Sequence, residues 1–245
     1  MEVKITRIGS VIEGVRSLYM SKRSWTPELE EKLDLWESKF IGKHGEIIVN
    51  EADEDYDEFN KTVQKLFKWG QKHITMLRFM DVGGIVIGLH RGGTDDFDSH
   101  AKRLENRILR SSTRLADYKH EKSDWYKDKI ITTDEAIDLL KIILPDTLIK
   151  DGKKYVRAVN GYVLEEYKDN KDVKRGLYML SIPMNFIFKC NITELGHIYR
   201  ERGSKEGGAN GTAAPELQEM MEMLVDKLHE MVPYVTREYL LGIIQ

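Results

Sequence analysis

Residues Ser99 to Tyr118 constrain this chain more than any other stretch. Arg103, Arg107, Arg110 and Arg114 are spaced four, three and four apart, so a helix would carry all four guanidinium groups on one face. Ala101, Leu104, Ile108, Ser111 and Leu115 form a second stripe about 100° round from the first. The spacing predicts a helix whose arginines border the face that packs on the core. Guanidinium groups held there need anions, and their planar forks suit carboxylates and phosphates. Ser111, Ser112 and Thr113 add hydroxyls where the helix would end. Ser112-Thr113-Arg114 offers a hydroxyl, backbone N–H groups and a guanidinium to one phosphate. Two readings stay open, a solvated face paired with Glu105 and Asp117 or an anion site. Four arginines with no lysine between them favour the anion site, without separating nucleotide from nucleic acid.

At 245 residues the chain suits one large domain or two small ones. Hydrophobic residues at 41% and charged residues at 32% can build a soluble core. The net charge of −3 argues against a nucleic-acid-binding polycation, so any anion site is a local patch. A single cysteine, Cys190, rules out internal disulfides and a cysteine-rich zinc site. There is no N-terminal signal pattern, and no apolar run approaches the ~20 residues that a membrane span needs. The expectation is a cytoplasmic protein with no membrane contact.

Met1 to Ile8 alternates and predicts a strand. Ser10 caps a helix through Val11, Val15 and Leu18. Thr26-Pro27 starts another, carried by Leu33, Leu35, Trp36 and Phe40. The acidic run Glu51 to Glu58 reads as a solvated loop leading into a helix through Phe59, Val63, Leu66 and Phe67 to Gly70. His73 to Met80 alternates as a buried strand, which Gly83-Gly84 breaks. Ile85 to Leu89 fits strand or buried helix. His90 to Asp96 reads as a loop; His90, Asp95 and Asp96 offer a weak metal pattern that a turn explains better. Trp125 and Tyr126 fall partly buried. Thr133-Asp134-Glu135 opens a helix that Pro145 closes. Tyr155 to Tyr167 predicts a helix, and Lys168 to Lys174 a charged linker or turn. Met184 to Cys190 is a short apolar strand, and Asn191 or Thr193 caps a helix through His197 to Arg202. Ser204 to Gly211 lacks the Gly-Lys-Ser/Thr of a phosphate loop and reads as a mobile surface loop or lid. Pro215 starts a long helix with Leu217, Met220, Met221, Leu224, Leu228 and Met231 inward. With no repeat or domain boundary, residues 1–245 read as one α+β domain, a central mixed or antiparallel sheet flanked by helices.

The C-terminal third resembles that of the flavin-dependent thymidylate synthases. That family carries an Arg, a run to an Asn, an Asn or His six residues on, and an Arg five further. A Glu-Ile-Arg or Glu-Ile-Gln follows on the next helix. Arg175, Asn191, His197, Arg202 and Glu216-Leu217-Gln218 take those places here. His73 and the segment after it are similar to the strand before the family's signature, Arg-His-Arg, two residues, Ser, four residues, Ser, any residue, Arg. The end of the signature is kept as Ser112-Thr113-Arg114. Its start is altered: Lys102-Arg103-Leu104 or, with a short deletion, Glu105-Asn106-Arg107 stands there, and His90 to Asp98 resembles an insertion. The likeness covers roughly Ile74 to Pro233.

The resemblance implies a homotetramer with active sites at subunit interfaces. It also implies FAD, NADPH as reductant, methylenetetrahydrofolate as carbon donor and dUMP as acceptor. The product would be dTMP, made without a cysteine nucleophile. By position, Ser112, Arg114 and Arg175 would hold the nucleotide phosphate and sugar. Arg202 would face the uracil and stabilise charge developing on it. Asn191 and His197 would contact flavin, His73 would lie on the flavin or folate side, and Arg103 or Arg107 would meet the FAD phosphates. No metal is implied. Two other readings remain: a non-catalytic or altered-specificity nucleotide-binding protein on the same fold, and a nucleic-acid binder. The net charge and the lack of aromatics among the arginines argue against the last.

Overall fold

A computed structural model describes residues 1–99, 107–112, 121–204 and 214–242. In chain order the elements begin with β1 (Glu2–Ile8), α1 (Val11–Ser21), α2 (Pro27–Phe40) and α3 (Tyr56–Gly70). A 3-10 helix (Ile74–Phe79), β2 (Asp81–His90), α4 (Arg91–Ser99) and β3 (Arg107–Arg110) follow. A short 3-10 turn (Asp124–Tyr126) leads to α5 (Thr133–Leu139), β4 (Thr147–Lys150), β5 (Lys153–Ala158) and β6 (Gly161–Leu164). Next come α6 (Lys171–Lys174), β7 (Pro183–Asn191), α7 (Ile192–Ile198), a π-helical turn (Tyr199–Gly203), α8 (Pro215–Met231) and α9 (Arg237–Leu241).

The central sheet has the order β1-β2-β7-β3, and every pairing in it is antiparallel. Its inner face is covered by helices. Val82, Val86, Phe186, Phe188 and Cys190 are buried there with Leu217, Met221, Leu224 and Leu228 of α8. Phe97 of α4 packs on Phe186 and Phe188 with ring centroids 5.5 and 5.4 Å apart. The helices carry the caps that their sequences announce: Ser10 Oγ accepts from Ile12 N at 3.2 Å and Thr26 Oγ1 from Leu29 N at 3.2 Å. Lys39 answers the acidic run by pairing with Asp53 and Asp55. The second sheet, β4-β5-β6, is also antiparallel. The architecture is α+β in one domain.

Five segments depart from expectation, each for a tertiary reason. Arg107–Arg110 is not helical; it is a strand, with Ile108 opposite Phe188 and Leu109 opposite Ile187. The open edge of β7 needs backbone partners, and a four-residue alternating segment supplies them. The shared-face argument for Arg107 and Arg110 on a helix therefore falls. His73 to Met80 is not a strand. Met76, Leu77 and Met80 are buried at helical spacing while Ile74 and Phe79 are exposed. Gly83-Gly84 does not break β2. A Cβ on Gly84 would stand 2.5 Å from the ring of Phe188 directly opposite, so glycine is what lets the strand pass. His90 to Asp96 is no loop, because β2 ends at His90 and α4 begins at once. Tyr155 to Tyr167 is not a helix but the β5–β6 hairpin and a 3-10 turn.

Candidate functional site

The junction of β7 and α7 is set by Asn191. Its carboxamide oxygen accepts from Glu194 N at 2.9 Å, which starts α7 as the strand ends. Met80 carbonyl accepts from Ile192 N at 3.1 Å, and Thr193 Oγ1 donates to Ile74 carbonyl at 3.2 Å. These bonds tie α7 to the 3-10 helix that follows His73. A cleft of about 150 Å³ lies between them, lined in part by Gln71, Ile74, Thr193, Gly196 and Arg200. Arg200 closes one side by donating from Nη1 to Leu240 carbonyl at 2.8 Å. His197 is half-buried, and no described residue hydrogen-bonds its ring. His73 is exposed and stacks on Trp69 with centroids 5.5 Å apart. Asn191 thus starts α7 beside the 3-10 helix that follows His73, and His197 lies near the far end of α7.

Arg202 sits on the π-helical turn, half-buried and engaged with a neighbouring group. Such turns insert a residue into a helix and recur at functional sites. This one is held against α8. Tyr199 Oη donates to Glu222 Oε1 at 2.7 Å. A Cβ on Gly203 would fall 2.7 Å from Met221 Cβ, so only glycine allows this approach. Met221 is five residues, about 7.5 Å, along α8 from Glu216.

Glu216 is the centre of a buried polar cluster that no sequence pattern exposed. Its Oε2 accepts from His90 Nδ1 at 2.5 Å, His90 N at 3.2 Å and Ser123 Oγ at 3.0 Å. The His90 ring meets Tyr126 edge-on at 5.0 Å. Glu216 is 1% exposed, and its Oε1 is buried without a hydrogen-bond partner among the described residues. Gly93 makes room for the imidazole, since a Cβ there would stand 2.7 Å from His90 Cε1. His90, Ser123 and Glu216 are 126 and 93 residues apart in the pairs that meet, so no motif could have linked them. His90 and Asp95 do not form a metal pair: Asp95 instead pairs with Arg110 and Arg91. Among the described residues no group of His, Cys, Asp and Glu is placed to hold a metal.

Ser111 and Ser112 follow β3 at the other end of β7. Ser111 N donates to Asn185 carbonyl at 2.7 Å, and Asn185 N donates back to Ser111 Oγ at 3.2 Å. Asn191 lies six steps along the strand from Asn185, roughly 20 Å. One protomer therefore keeps Ser112 well away from Asn191 and His73. Arg110 pairs with Asp95 and, at 3.7 Å, with Asp98. Arg103 and Arg114 lie outside the described residues, as do the side chains of Arg107 and Arg175 and most of the Ser204 to Gly211 loop.

The cleft between α7 and the 3-10 helix is lined mostly by apolar surface, which suits one end of a planar ring such as a flavin. His73, stacked on Trp69, and His197 lie on the two segments that bound it, and among the described residues neither imidazole has a hydrogen-bond partner. The residues expected at the phosphate end fall outside the described part. Burial pushes the Cys190 thiol far up, so it is no thiolate nucleophile. No described helix is long and apolar enough to cross a membrane.

No family model and no curated protein sequence matches the chain. Solved structures do. The flavin-dependent thymidylate synthase of Helicobacter pylori, complexed with FAD and dUMP, superposes with a TM-score of 0.55 at 14% identity. The alignment covers 97% of this chain and 99% of that one. A UMP/dUMP methylase of Streptomyces cacaoi bound with 5-Br dUMP gives 0.54 at 11% identity, over 96% and 92% of the two chains. The chain has the flavin-dependent thymidylate synthase fold over nearly its whole length.

Proposed function

We propose that the protein is an FAD-dependent thymidylate synthase, methylating dUMP to dTMP with methylenetetrahydrofolate as carbon donor and NADPH as reductant. The observation that carries this reading is the fold, matched end to end, together with Asn191, His197 and Arg202 in the order that the family's pattern requires. The buried, unreactive Cys190 agrees with chemistry that uses no enzyme thiolate.

In this reading Ser112, Arg114 and Arg175 bind the nucleotide phosphate and sugar. Arg202 lies against the uracil and stabilises negative charge as C5 becomes nucleophilic. His73, Asn191 and His197 hold the flavin ring, and Arg103 or Arg107 its phosphates. Bound flavin supplies hydride; the chain's own residues position and polarise. The roughly 20 Å between Ser112 and Asn191 supports a site shared between copies, as in a homotetramer. The outer face of the central sheet supports association too. It carries Ile85, Ile87, Ile187 and Leu109, the last 73% exposed, beside a groove of about 550 Å³.

The test is an absorbance spectrum of the purified protein before and after adding FAD and dUMP, followed by a turnover assay. Flavin absorbance that shifts with nucleotide, and dTMP formed, are the expected results. Nucleotide binding by a protein that takes up no flavin would replace this reading with a non-catalytic or altered-specificity nucleotide-binding protein on the same fold.

A further inference from the structure

The small sheet β4-β5-β6 leaves strand β4 as an edge, and that edge is built to meet a copy of itself. All four of its residues are exposed, Ile149 by 74%. Arg157 N donates to Asp146 carbonyl at 2.8 Å, and the ladder continues Leu148 to Tyr155 and Lys150 to Lys153. Residues 146, 148 and 150 therefore direct their backbone groups at β5. Thr147 and Ile149, between them, direct theirs outward. Among the described residues these outward groups have no backbone partner. The open stretch is bounded on both sides. Pro145 has no N–H to extend it, and Asp151-Gly152, at φ 53° and 72°, turns the chain away.

An exposed edge is a template for another strand. Antiparallel pairing about a two-fold axis at Leu148 sets Thr147 against Ile149 of the copy, and Ile149 against its Thr147. All outward N–H and C=O groups of those residues are then satisfied. The same register sets Leu148 against Leu148 and Asp146 against Lys150, twice. Asp146 and Lys150 are both exposed, and neither has an ion-pair partner among the described residues. Opposite charges at the two ends of an edge match another copy running the other way. A helper surface lies in the segment leading into the strand, where Leu139, Leu140, Ile142 and Ile143 are exposed, the last by 96%. These features suit an isologous contact better than an unrelated peptide, which would not need the charge symmetry.

We infer that β4 pairs with β4 of a second copy of this chain, joining two three-stranded sheets into one of six strands. The inference is independent of the catalytic reading, because it concerns a different surface and is tested without activity. The first test is a cysteine series in the full-length protein; Cys190 is buried and does not compete. Facing non-hydrogen-bonded residues bring their Cα atoms to about 4.5 Å, within disulfide reach. Leu148→Cys should cross-link to a covalent dimer under mild oxidation, and Ile149→Cys, whose own copy is displaced along the ladder, should not. The second test is mass in solution by sedimentation. Ile149→Pro removes only an outward donor, which an edge strand tolerates, and should halve the mass of the particle. Lys150→Asp should do the same, and Asp146→Lys with Lys150→Asp should restore it. Equal or absent cross-linking of the two cysteine variants, or one mass for all the variants, would overturn the pairing.

Discussion

At the scale of single residues, the chain spends its tightest buried polar contacts on Glu216. Three donors converge on one oxygen, two of them from His90. His90→Leu would take the imidazole from a carboxyl group that is 1% exposed. Stability should fall by about 1–3 kcal/mol, measured by urea unfolding. A loss under about 1 kcal/mol would show the cluster to be incidental. Arg202 makes a different prediction. Arg202→Ala should abolish turnover while flavin content and unfolding midpoint stay close to wild type; a variant with wild-type activity would remove Arg202 from the chemistry proposed for it. For Arg114→Ala, loss of a charged hydrogen bond to the phosphate should weaken dUMP binding by about 1.5–3 kcal/mol in calorimetry. Asn191 is legible as the cap of α7, which it is, whereas the roles of Asn191 and Arg202 in a site are proposals that rest on spacing shared with a family pattern. Glu216 was visible only as part of that pattern, and its partners His90 and Ser123 were not visible at all. A residue joins a cluster through the fold, and nothing in a local window records which distant side chain it will face.

At the scale of elements, caps and turns carry much of the specification. Helix α5 is closed by a reciprocal pair: Thr132 Oγ1 accepts from Glu135 N at 3.1 Å, and Glu135 Oε2 accepts from Thr132 N at 2.7 Å and from Lys122. The bond from Thr132, with Lys122 beside it, holds the Glu135 carboxyl below the usual glutamate range. Its stabilisation is therefore present above the unfolded glutamate value of about 4.3 and is lost as pH falls through the lower folded value. Wild type and Glu135→Gln should differ in thermal midpoint at neutral pH and converge in acid; a difference independent of pH would contradict the assignment. In β2, Gly84→Ala places a methyl group against the Phe188 ring and should destabilise by about 1–3 kcal/mol. The hairpin of β5 and β6 stands where a helix is expected, although its punctuation is in the sequence. Asn160-Gly161 marks its turn and Asp151-Gly152 the turn from β4 into β5, and Asp151 and Asn160 adopt positive φ of 53° and 58°. Strand β3 offered no such mark. Its arginine spacing fits a helix as well as any, and only the unpaired edge of β7 selects the extended form.

For the whole molecule, the consequence is distance. A single copy holds Ser112 at one end of β7 and Asn191 at the other, and among the described residues it leaves an apolar sheet face and an open strand edge uncovered. The sequence by itself determined the periodic elements: strand β1, helices α1, α2, α3 and α8 with their caps, and the buried strand that carries Cys190. Those patterns are local, because a helix or strand with one apolar face writes its period into consecutive residues. Tertiary structure alone decided that Gly83-Gly84 runs inside a strand, that Arg107–Arg110 completes the sheet, and that His90, Ser123 and Glu216 meet. Each of these depends on a partner far along the chain, a facing ring, an open backbone edge or a buried carboxylate. Contacts of that kind are set by packing in three dimensions, which no period in one dimension encodes.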